Sequence, residues 1–258
     1  MMRLDAAFLR QPLAHRALHD RNAGRLENSR AAIRAAIAVR YGIEIDVQMA
    51  SDGVAMVFLD DDLDRLTDAS GPVRARRAAD LADVTLKGTD EGIPSLAEVL
   101  EQVGGRVPLL IEVKDQHGQM GDTDGVLEAS VARDLVGYSG PVGLMSFNPN
   151  SVIRLAALAP DVPRGIVTCA YSAHDCPELP AAVRDRLRAI PDMDAAKASF
   201  ISHQWDDLDR NRVAELKAAG ADILCWTIRS PEAARAARRV AANITFEGYL
   251  PDILGLRA

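Results

Sequence analysis

The sequence predicts an α/β protein with the fold of a TIM (β/α)8 barrel, and two observations carry that prediction. Short apolar runs rich in β-branched residues recur eight times along the 258 residues, with helix-like segments between them. Such alternation implies parallel strands, and about 250 residues is a usual length for eight units closed into a barrel. The segment after the first run, ALHDRNAGR, also lacks the G-x-G-x-x-G turn typical of an open doubly wound sheet. We therefore expect one barrel domain over residues 1–258.

The expected barrel strands are the apolar, β-rich runs themselves. In chain order they are Leu13–Arg16, Ile43–Met49, Val107–Val113, Val142–Phe147, Gly165–Cys169, Ser199–His203, Ile223–Ile228 and Asn243–Phe246. Their carboxyl ends should meet at one mouth of the barrel, where active sites of this fold lie.

Helix signals fall between these runs. Asn28–Ser29 opens a helix that we expect to end at Gly42, and Ser95 with Glu98 forms a capping box. Ser230–Glu232 begins another helix, with serine as the cap and proline at the first helical position. These signals support the alternation of strand and helix.

One segment departs from simple alternation. After Met49 the sequence ASDG and the apolar run Val54–Phe58 predict a turn and a short extra strand. We therefore expect a hairpin and a small insertion, from about Ala50 to Gly92, after the second barrel strand.

Composition argues against two classes of partner. With 30 Lys+Arg and 37 Asp+Glu the formal charge is 30 − 37 = −7, and no basic run exceeds short arginine pairs, so we expect no nucleic-acid partner. No stretch approaches the roughly 18 uninterrupted apolar residues of a membrane span. The start of the chain carries Asp5 and Arg10 where a signal peptide would need an apolar region. The sequence predicts a cytoplasmic protein without stable membrane insertion.

The three cysteines predict neither a disulfide framework nor a metal site. Cys169 and Cys225 lie in strand-like runs, where a buried free thiol is ordinary. A zinc site built from Cys169, His174 and Cys176 would match no closed tetrahedral spacing. We expect no zinc.

Acidic residues occupy two of the predicted strands. The period of two in Ile43–Met49 sends Glu44 and Asp46 to the face opposite the isoleucines, which in a barrel points inward. Neighbouring carboxylates there repel unless a cation lies between them. Glu112, followed by Lys114, ends the third strand in a similar way. Three such carboxylates would suit Mg²⁺ or Ca²⁺, and the alternatives are salt bridges, such as Glu112 with Lys114, or solvated side chains.

The insertion contains an aspartate-rich stretch, AMVFLDDDLDRLTD, at residues 55–68. An EF-hand loop needs glycine at its sixth position and glutamate at its twelfth. Counted from Asp60 these positions are Arg65 and Gly71, so the stretch is not a calcium loop of that kind.

A set of short motifs shares its order and spacing with a known family. The motifs are His15–Arg16, Glu27–Ser29, Glu44–Val47, Ser51–Gly53, Asp60 with Leu63–Thr67, Ile93–Leu96 and Glu112–Lys114. Together they resemble the glycerophosphodiester phosphodiesterase family, whose pattern runs roughly HRG, ENT or ENS, E-x-D, HDxxLxRxT, PxL and ExK. Met145–Phe147 and Cys225–Thr227 are also similar, so the resemblance covers most of the chain.

The resemblance implies an α/β barrel that hydrolyses small-molecule glycerophosphodiesters to an alcohol and glycerol 3-phosphate with a divalent cation, Mg²⁺ or Ca²⁺. The chemistry agrees, because the diester's non-bridging oxygens need a cation and the leaving alkoxide needs a proton. The roles implied are Glu44, Asp46 and Glu112 as metal ligands, Arg16, Lys114 and Trp226 as substrate contacts, His15 as half of a histidine acid–base pair, and Glu27 as support for the pocket.

Three positions depart from the family pattern. The histidine expected before Asp60 is Leu59, the glycine expected after His15–Arg16 is Ala17, and the proline expected before Glu27 is Leu26. Leucine cannot transfer a proton, so we expect weakened turnover. Of the aspartates in the insertion, we expect only Asp60 beside the site, and we expect the others to cap, turn or face solvent.

Two functions stay open on the sequence. One is a slow phosphodiesterase in which water, His19 or His117 replaces the missing proton carrier. The other is a non-catalytic barrel that binds a phosphodiester or glycerophosphate. The sequence predicts no particular alcohol group or oligomeric state, and it does not choose between Mg²⁺ and Ca²⁺.

Overall fold

The computed structural model describes residues 2–253, in which strands and helices alternate. The strands are β1 Leu13–Ala14, β2 Gly42–Met49, β3 Ala55–Val57, β4 Leu109–Val113, β5 Val142–Ser146, β6 Arg164–Thr168, β7 Phe200–Gln204, β8 Asp222–Ile228 and β9 Asn243–Phe246. The α-helices are α1 Ala7–Arg10, α2 Arg30–Ala38, α3 Ala78–Ala82, α4 Leu96–Val103, α5 Val126–Asp134, α6 Pro149–Leu158, α7 Ala181–Arg188, α8 Asn211–Ala218 and α9 Pro231–Ala237.

The sheet closes into a barrel of eight parallel strands. The order is β1-β9-β8-β7-β6-β5-β4-β2, and β1 also pairs with β2, which joins the two ends of the sheet. The short β3 pairs antiparallel with β2 outside this ring. The predicted TIM barrel and the extra strand after the second barrel strand are confirmed.

All eight expected barrel strands are present, and their ends differ by at most two residues from the sequence prediction. The first ends at Ala14, so His15 and Arg16 lie in the loop after β1. The prediction that the helix after Asn28–Ser29 ends at Gly42 was wrong, because α2 ends at Ala38. Gly42 instead opens β2, where a Cβ atom would lie 2.5 Å from Leu13 Cδ2.

The predicted helix caps are confirmed. Ser29 and Ser230 accept hydrogen bonds from backbone N–H groups in the first turns of α2 and α9, and Ser95 with Glu98 forms the complete capping box of α4. These caps satisfy donors that the first turn of a helix leaves free. No helix within residues 2–253 combines the length and hydropathy needed to cross a membrane.

The two faces of the barrel strands have different partners. Ile43, Ile45 and Val47 of β2 pack outward in the layer between barrel and helices. On the inner face, Leu110 and Phe200 join Phe8 of α1 in an apolar plug. The plug occupies the amino-terminal end of the barrel, and this leaves the carboxyl end for polar side chains.

The insertion after β2 has its own apolar cluster. Phe58, Leu63, Leu66, Leu81 and Ile93 are each at most 1% exposed and pack together. This packing fixes the aspartate-rich stretch against the mouth of the barrel.

Candidate active site

Three carboxylates converge inside the barrel mouth. Glu44 and Asp46 project from β2 and Glu112 from β4, and one oxygen of each lies within 4.8 Å of the others. The register explains the meeting, because Asp46 pairs directly with Glu112 across the two neighbouring strands. Glu44 and Asp46 are 2% exposed and Glu112 is 7% exposed.

Burial of these acids has an electrostatic cost. Burial raises the pKa of Glu44 well above its usual value, and the charges of Asp46 and Glu112 raise it further. Burial also raises the pKa of Glu112, against the opposing charge of Lys114. Charged carboxylates this close together in a buried site need compensation by positive charge.

The donor set fits a hard divalent cation. Carboxylate oxygens are the ligands that Mg²⁺ and Ca²⁺ prefer, at about 2.0–2.6 Å, and two oxygens on one such ion lie at most about 4–5 Å apart. The oxygens of Glu44, Asp46 and Glu112 meet that limit. Within residues 2–253 this is the only group of three or more such side chains close enough to share an ion. His174, the third member of the alternative zinc site, is exposed.

Two cationic side chains border the carboxylates. Lys114 Nζ lies 2.7 Å from Glu112 Oε1 and 3.6 Å from Asp46 Oδ1, while Arg16 Nε lies 3.6 Å from Asp46 Oδ2. Burial lowers the pKa of Lys114, but the charges of Glu112 and Asp46 outweigh burial and leave it above its usual value. Both side chains therefore carry positive charge at the edge of the cluster.

The loop after β1 is held in an uncommon backbone conformation. Arg16 and Ala17 have φ of 52° and 65°, in the left-handed region. The Arg16 amide donates to Glu44 Oε2 at 2.9 Å, and the Ala17 amide donates to the Glu44 carbonyl at 2.9 Å. Alanine at this conformation costs about 1–2 kcal/mol that glycine avoids. The two bonds to Glu44 hold the strained turn against the cluster.

A chain of ion pairs connects the insertion to the site. Arg65 binds Asp60 at 2.7 Å on one side and both oxygens of Glu27 at 2.7 and 3.0 Å on the other. Glu27 in turn accepts from Arg16 at 2.9 Å. Burial raises the pKa of Glu27, but its bonds to Arg65 and Arg16 outweigh burial and hold it below its usual value. Glu27 therefore fixes Arg16 and the insertion together.

A carboxylate orients the histidine at the mouth. Glu247, just after β9, places Oε2 2.7 Å from His15 Nδ1. Since Nδ1 is engaged by Glu247, the second ring nitrogen is the one left for a ligand. The hydrogen bond from His15 lowers the pKa of Glu247 to about 2 despite partial burial, with help from the charges of His15 and Arg229.

This pair predicts a pH-dependent stability. Because the folded-state pKa of Glu247 is depressed, the ionised carboxylate stabilises the fold above about pH 4.5 and loses that contribution as pH falls toward 2. Glu247→Gln should be less stable than wild type by about 1–2 kcal/mol at pH 6, after allowance for solvent screening. Urea unfolding at pH 6, 4.5 and 3 should show this difference shrinking with acid, and a constant difference would contradict the pairing.

Two cavities meet at the site. The barrel cavity, about 490 Å³, contains His15, Arg16 and the three carboxylates. The loop cavity, about 510 Å³, is bordered by the aspartate-rich stretch. Leu59, Glu112, Lys114 and Phe147 line both. Glu112 and Lys114 thus lie where the two cavities join, with Glu44 and Asp46 on the side of the barrel cavity.

Trp226 forms part of the barrel-cavity wall. Its indole N–H donates to the Ser202 carbonyl at 3.0 Å, and its ring meets Phe147 edge to face at 5.5 Å between centroids. These contacts hold an aromatic face toward the cavity.

Comparison with known proteins agrees with this geometry. The model of the glycerophosphoryl diester phosphodiesterase family matches residues 15–245, which is most of the chain. The chain belongs to that family. It is therefore by family a phosphoric diester hydrolase, and the resemblance inferred from the sequence is confirmed.

Individual relatives span nearly the whole chain. YhdW of Bacillus subtilis (strain 168), a provisionally named glycerophosphodiester phosphodiesterase, is 26% identical over 237 residues, covering 88% of this chain and 90% of that protein. A phosphodiesterase of Oleispira antarctica, solved with its product sn-glycerol-3-phosphate, has a TM-score of 0.75 and 25% identity, covering 93% of each chain. The fold also matches a Thermotoga maritima glycerophosphodiester phosphodiesterase, with a TM-score of 0.68, 20% identity and 91% and 92% coverage of the two chains.

The position that departs from the family motif lies at the centre of the site. Leu59 follows the apolar cluster residue Phe58, and its carbonyl accepts from Gln48 Nε2 at 3.0 Å. Its side chain is half-buried at the junction of the two cavities. An apolar side chain thus stands where the family motif has a histidine.

The two histidines considered as substitutes are placed differently. His117 is exposed in the loop after β4. His19 is partly buried, which lowers its pKa against the opposing charges of Glu247 and Glu27. Neither side chain lines the barrel cavity or the loop cavity. His19 is the nearer candidate, because it lies within electrostatic range of His15 and Arg16.

The aspartates extend further along the site than we expected. Asp61, Asp62 and Asp64 line the loop cavity together with Asp60, so the expectation that only Asp60 lies beside the site was wrong. Asp61, Asp62 and Asp64 are nevertheless exposed to solvent, as we expected, because the apolar cluster folds the stretch along the open rim of the mouth.

Sequence reasoning missed three residues that support the site. Asn28 was read as a helix signal, but its φ is 59° and its amide donates to Asp46 Oδ2 at 3.0 Å. Arg65, read as part of a motif, binds Glu27. Glu247 had one available signal, because an acid directly after the last barrel strand lies at the same mouth as the other acids.

Proposed function

We infer that this protein hydrolyses glycerophosphodiesters to an alcohol and sn-glycerol 3-phosphate, with Mg²⁺ or Ca²⁺ bound by Glu44, Asp46 and Glu112. The observation that carries the proposal is the convergence of these three buried carboxylates beside Arg16 and Lys114. The relative of known structure that contains sn-glycerol-3-phosphate supports the same product for this chain.

The carboxylates serve as the cation site in this proposal. A bound divalent cation supplies Lewis-acid stabilisation of charge on the phosphoryl oxygens. Glu44, Asp46 and Glu112 would hold it, and Asn28 fixes Asp46 by hydrogen bonding to one of its oxygens at 3.0 Å. The raised pKa of Glu44 and of Glu112 supports this role, because a bound cation would offset both the burial and the neighbouring negative charges that raise it.

Arg16 and Lys114 would bind the phosphate. The guanidinium of Arg16 uses one nitrogen for Glu27, and its Nε has no hydrogen-bond partner within residues 2–253. Lys114 presents its ammonium at the junction of the two cavities. A diester at that junction can place one half in each cavity, with Trp226 contacting the half in the barrel cavity.

His15 would transfer the proton on one side of the phosphorus. Glu247 holds Nδ1 and so fixes both the tautomer and the ring orientation. Hydrolysis of the diester also requires a proton for the departing alkoxide. Leu59 offers none, so the proposal includes slow turnover for alkyl leaving groups.

Arg16 should contribute more to phosphate binding than Lys114. A planar guanidinium can donate two parallel bonds to phosphate oxygens, whereas an ammonium acts as a point charge. Arg16→Ala should weaken binding of glycerol 3-phosphate by about 10-fold or more, and Lys114→Ala by less. Calorimetry at fixed divalent cation measures both. Unchanged affinity after Arg16→Ala would remove Arg16 from the proposed site.

One observation favours a second function. Because Leu59 replaces the family's histidine, a barrel that binds glycerophosphate without turnover is the alternative. Loss of one acid or base usually costs about 10²–10⁴ in rate, which leaves a weak enzyme more often than none. We therefore retain hydrolysis as the proposed function.

A direct assay separates the two functions. Purified protein is incubated with a panel of glycerophosphodiesters that differ in the alcohol, with Mg²⁺ or Ca²⁺ and with excess chelator, and release of glycerol 3-phosphate is measured. Cation-dependent release supports the enzyme, and the better cation and alcohol are read from the same panel. Binding of glycerol 3-phosphate without release from any diester supports the binding barrel. We propose a cytoplasmic location, and the net charge of −7 argues against nucleic-acid partners.

A further inference from the structure

Two of the three cysteines lie side by side in the wall of the barrel cavity. Cys169 directly follows β6 and is 5% exposed, while Cys176 lies in the loop between β6 and α7 and is partly buried. Both line the barrel cavity, and Cys176 packs against the apolar cluster that contains Cys169. Both are free thiols. The fold therefore brings two oxidisable groups together beside the proposed site.

The loop between β6 and α7 folds back so that the second thiol reaches the first. Tyr171 has φ of 47°, in the left-handed region, and reverses the chain. The Cys176 amide then donates to the Ser172 carbonyl at 3.0 Å, and the Ser172 hydroxyl donates to Asp175 Oδ2 at 2.6 Å. These hydrogen bonds close a turn that holds Cys176 against Cys169.

The two thiols have unequal environments. The Cys169 sulfur accepts from the Tyr171 amide at 3.4 Å, and its S–H donates to the sulfur of Cys176. Burial raises the pKa of Cys169 to about 12. Burial also raises the pKa of Cys176, but the hydrogen bond from Cys169 opposes that rise. Because the thiolate is the reactive form, the partly exposed Cys176 is the better nucleophile of the two.

We propose that Cys169 and Cys176 form a reversible disulfide when the protein meets a peroxide, and that this bond ties the loop between β6 and α7 to the barrel wall. This inference goes beyond the proposed hydrolysis and does not depend on it. Disulfides that form in a reducing compartment are usually transient and redox-sensing, which agrees with a dithiol as the resting state.

The oxidation proceeds in two steps. The Cys176 thiolate attacks one oxygen of hydrogen peroxide, the O–O bond breaks, and the departing hydroxide takes a proton to become water, which leaves Cys176 as a sulfenic acid. The Cys169 sulfur then attacks the Cys176 sulfur, so the S–S bond forms, the S–O bond breaks and a second water leaves. The two thiols lose two electrons and two protons in total, and the peroxide gains them.

Peptide mass mapping of the whole folded protein tests the proposal. Trypsin cleaves after Arg164 and Arg184, so both cysteines fall in the peptide 165–184, while Cys225 falls in the peptide 218–229. After peroxide treatment, denaturation and alkylation, the peptide 165–184 should carry no alkyl group and be lighter than the dithiol peptide by two hydrogen atoms. Treatment with dithiothreitol should restore alkylation at both cysteines. The rate of disulfide formation should rise from about pH 7 to about pH 9, because more Cys176 is then thiolate.

Two single variants test the order of the steps. Cys169→Ala leaves the Cys176 sulfenic acid without a thiol to attack it, so dimedone, which reacts with sulfenic acids, should label Cys176. Cys176→Ser should give neither a disulfide nor dimedone labelling, because Cys169 is buried and stays protonated. Thermal unfolding of each variant confirms that it is folded before treatment.

Cys225 provides the matched control. Its thiol is 0% exposed, donates to the Asn243 carbonyl at 3.7 Å and lines neither cavity of the site. Cys225 should be alkylated after denaturation in every sample, and Cys225→Ala should form the disulfide as wild type does.

Hydrogen exchange tests the effect on the loop. Backbone amides of residues 170–180 should exchange more slowly in oxidised wild type than in reduced wild type, and peroxide should not change their exchange in Cys176→Ser. Unchanged exchange in a protein that carries the disulfide would overturn the proposed tie.

Three results of the mapping would overturn the disulfide: an unmodified peptide 165–184, a disulfide that involves Cys225 or a second chain, or conversion of Cys176 to a sulfinic acid in place of the S–S bond. None of these would remove the proposed hydrolysis, because the mapping uses no substrate. Absence of hydrolysis would likewise leave the disulfide in place.

Discussion

Leu59→His is expected to raise kcat on alkyl glycerophosphodiesters by about 10²-fold or more, the usual scale of a positioned acid or base. Leu59 is half-buried where the two cavities join, beside Glu112 and Lys114, so an imidazole there faces the proposed phosphate position. Its backbone is already anchored through the bond from Gln48. The affinity for the cation should barely change, because Leu59 is not among the carboxylates of the cluster.

Two companion variants make this result specific. Leu59→Gln is polar and of similar size but has no titratable group, and it should not raise turnover. The gain in turnover should also disappear when His15→Ala is combined with Leu59→His. The proton transfer by His15 and the one by the introduced histidine occur on different sides of the phosphorus, so neither can replace the other. A rewired enzyme behaves differently: Leu59→His gains little, and His19→Ala alone abolishes activity. Absence of activity in every variant, with the cation site intact, would favour the binding barrel.

Asp46→Asn is expected to weaken binding of Mg²⁺ or Ca²⁺ by about 100-fold or more, because Asp46 is a proposed ligand and loss of a residue that only supports a ligand already costs about 10–100-fold. The asparagine keeps the shape of the side chain and removes one of the three negative charges. Arg16 and Lys114 both lie 3.6 Å from Asp46. Without the negative charge of Asp46, their positive charges are less balanced and repel a cation more strongly. Isothermal calorimetry of each cation with each protein measures the change.

Asp61→Asn is the matched control for this variant. Asp61 lines the loop cavity and accepts from Gln48 at 3.0 Å, but it is not part of the carboxylate cluster. Asp61→Asn removes one negative charge from the same barrel mouth as Asp46→Asn does. Because Asp61 is not a proposed ligand, the effect of this variant on cation affinity should be small. Equal cation affinity in wild type and Asp46→Asn would sink the proposed cation site.

Much of the fold could be predicted from local sequence. Apolar runs rich in β-branched residues predicted the barrel strands, and the predicted bounds of β9, Asn243–Phe246, match the structure. The cap signals at Ser29, Ser95 and Ser230 act within one helical turn, so the sequence alone specifies them. The end of α2 was harder to predict, because the left-handed residue that follows the helix is Arg40, where the usual signal is a glycine.

Part of the candidate site was also predictable. The alternation of side chains along β2 predicts that Glu44 and Asp46 both point into the barrel. The hairpin predicted after Met49 places Leu59 at the same mouth. The partners of these residues were not predictable by pattern. Glu247 lies 232 positions from His15, and Arg65 lies 38 positions from Glu27. No local periodicity connects residues at such separations.

The sequence by itself determined the alternation of strand and helix, the inward acids of β2, the departure at Leu59 and the family. Tertiary structure decided which groups meet: Asp46 with Glu112 through strand register, His15 with Glu247 through closure of the barrel, and the loop aspartates with the barrel mouth through the insertion's apolar cluster. It also decided that the thiols of Cys169 and Cys176 meet in the wall of the barrel cavity. Side-chain periodicity is a local property of the backbone, whereas pairing between distant strands and the satisfaction of buried polar groups depend on the whole closed sheet.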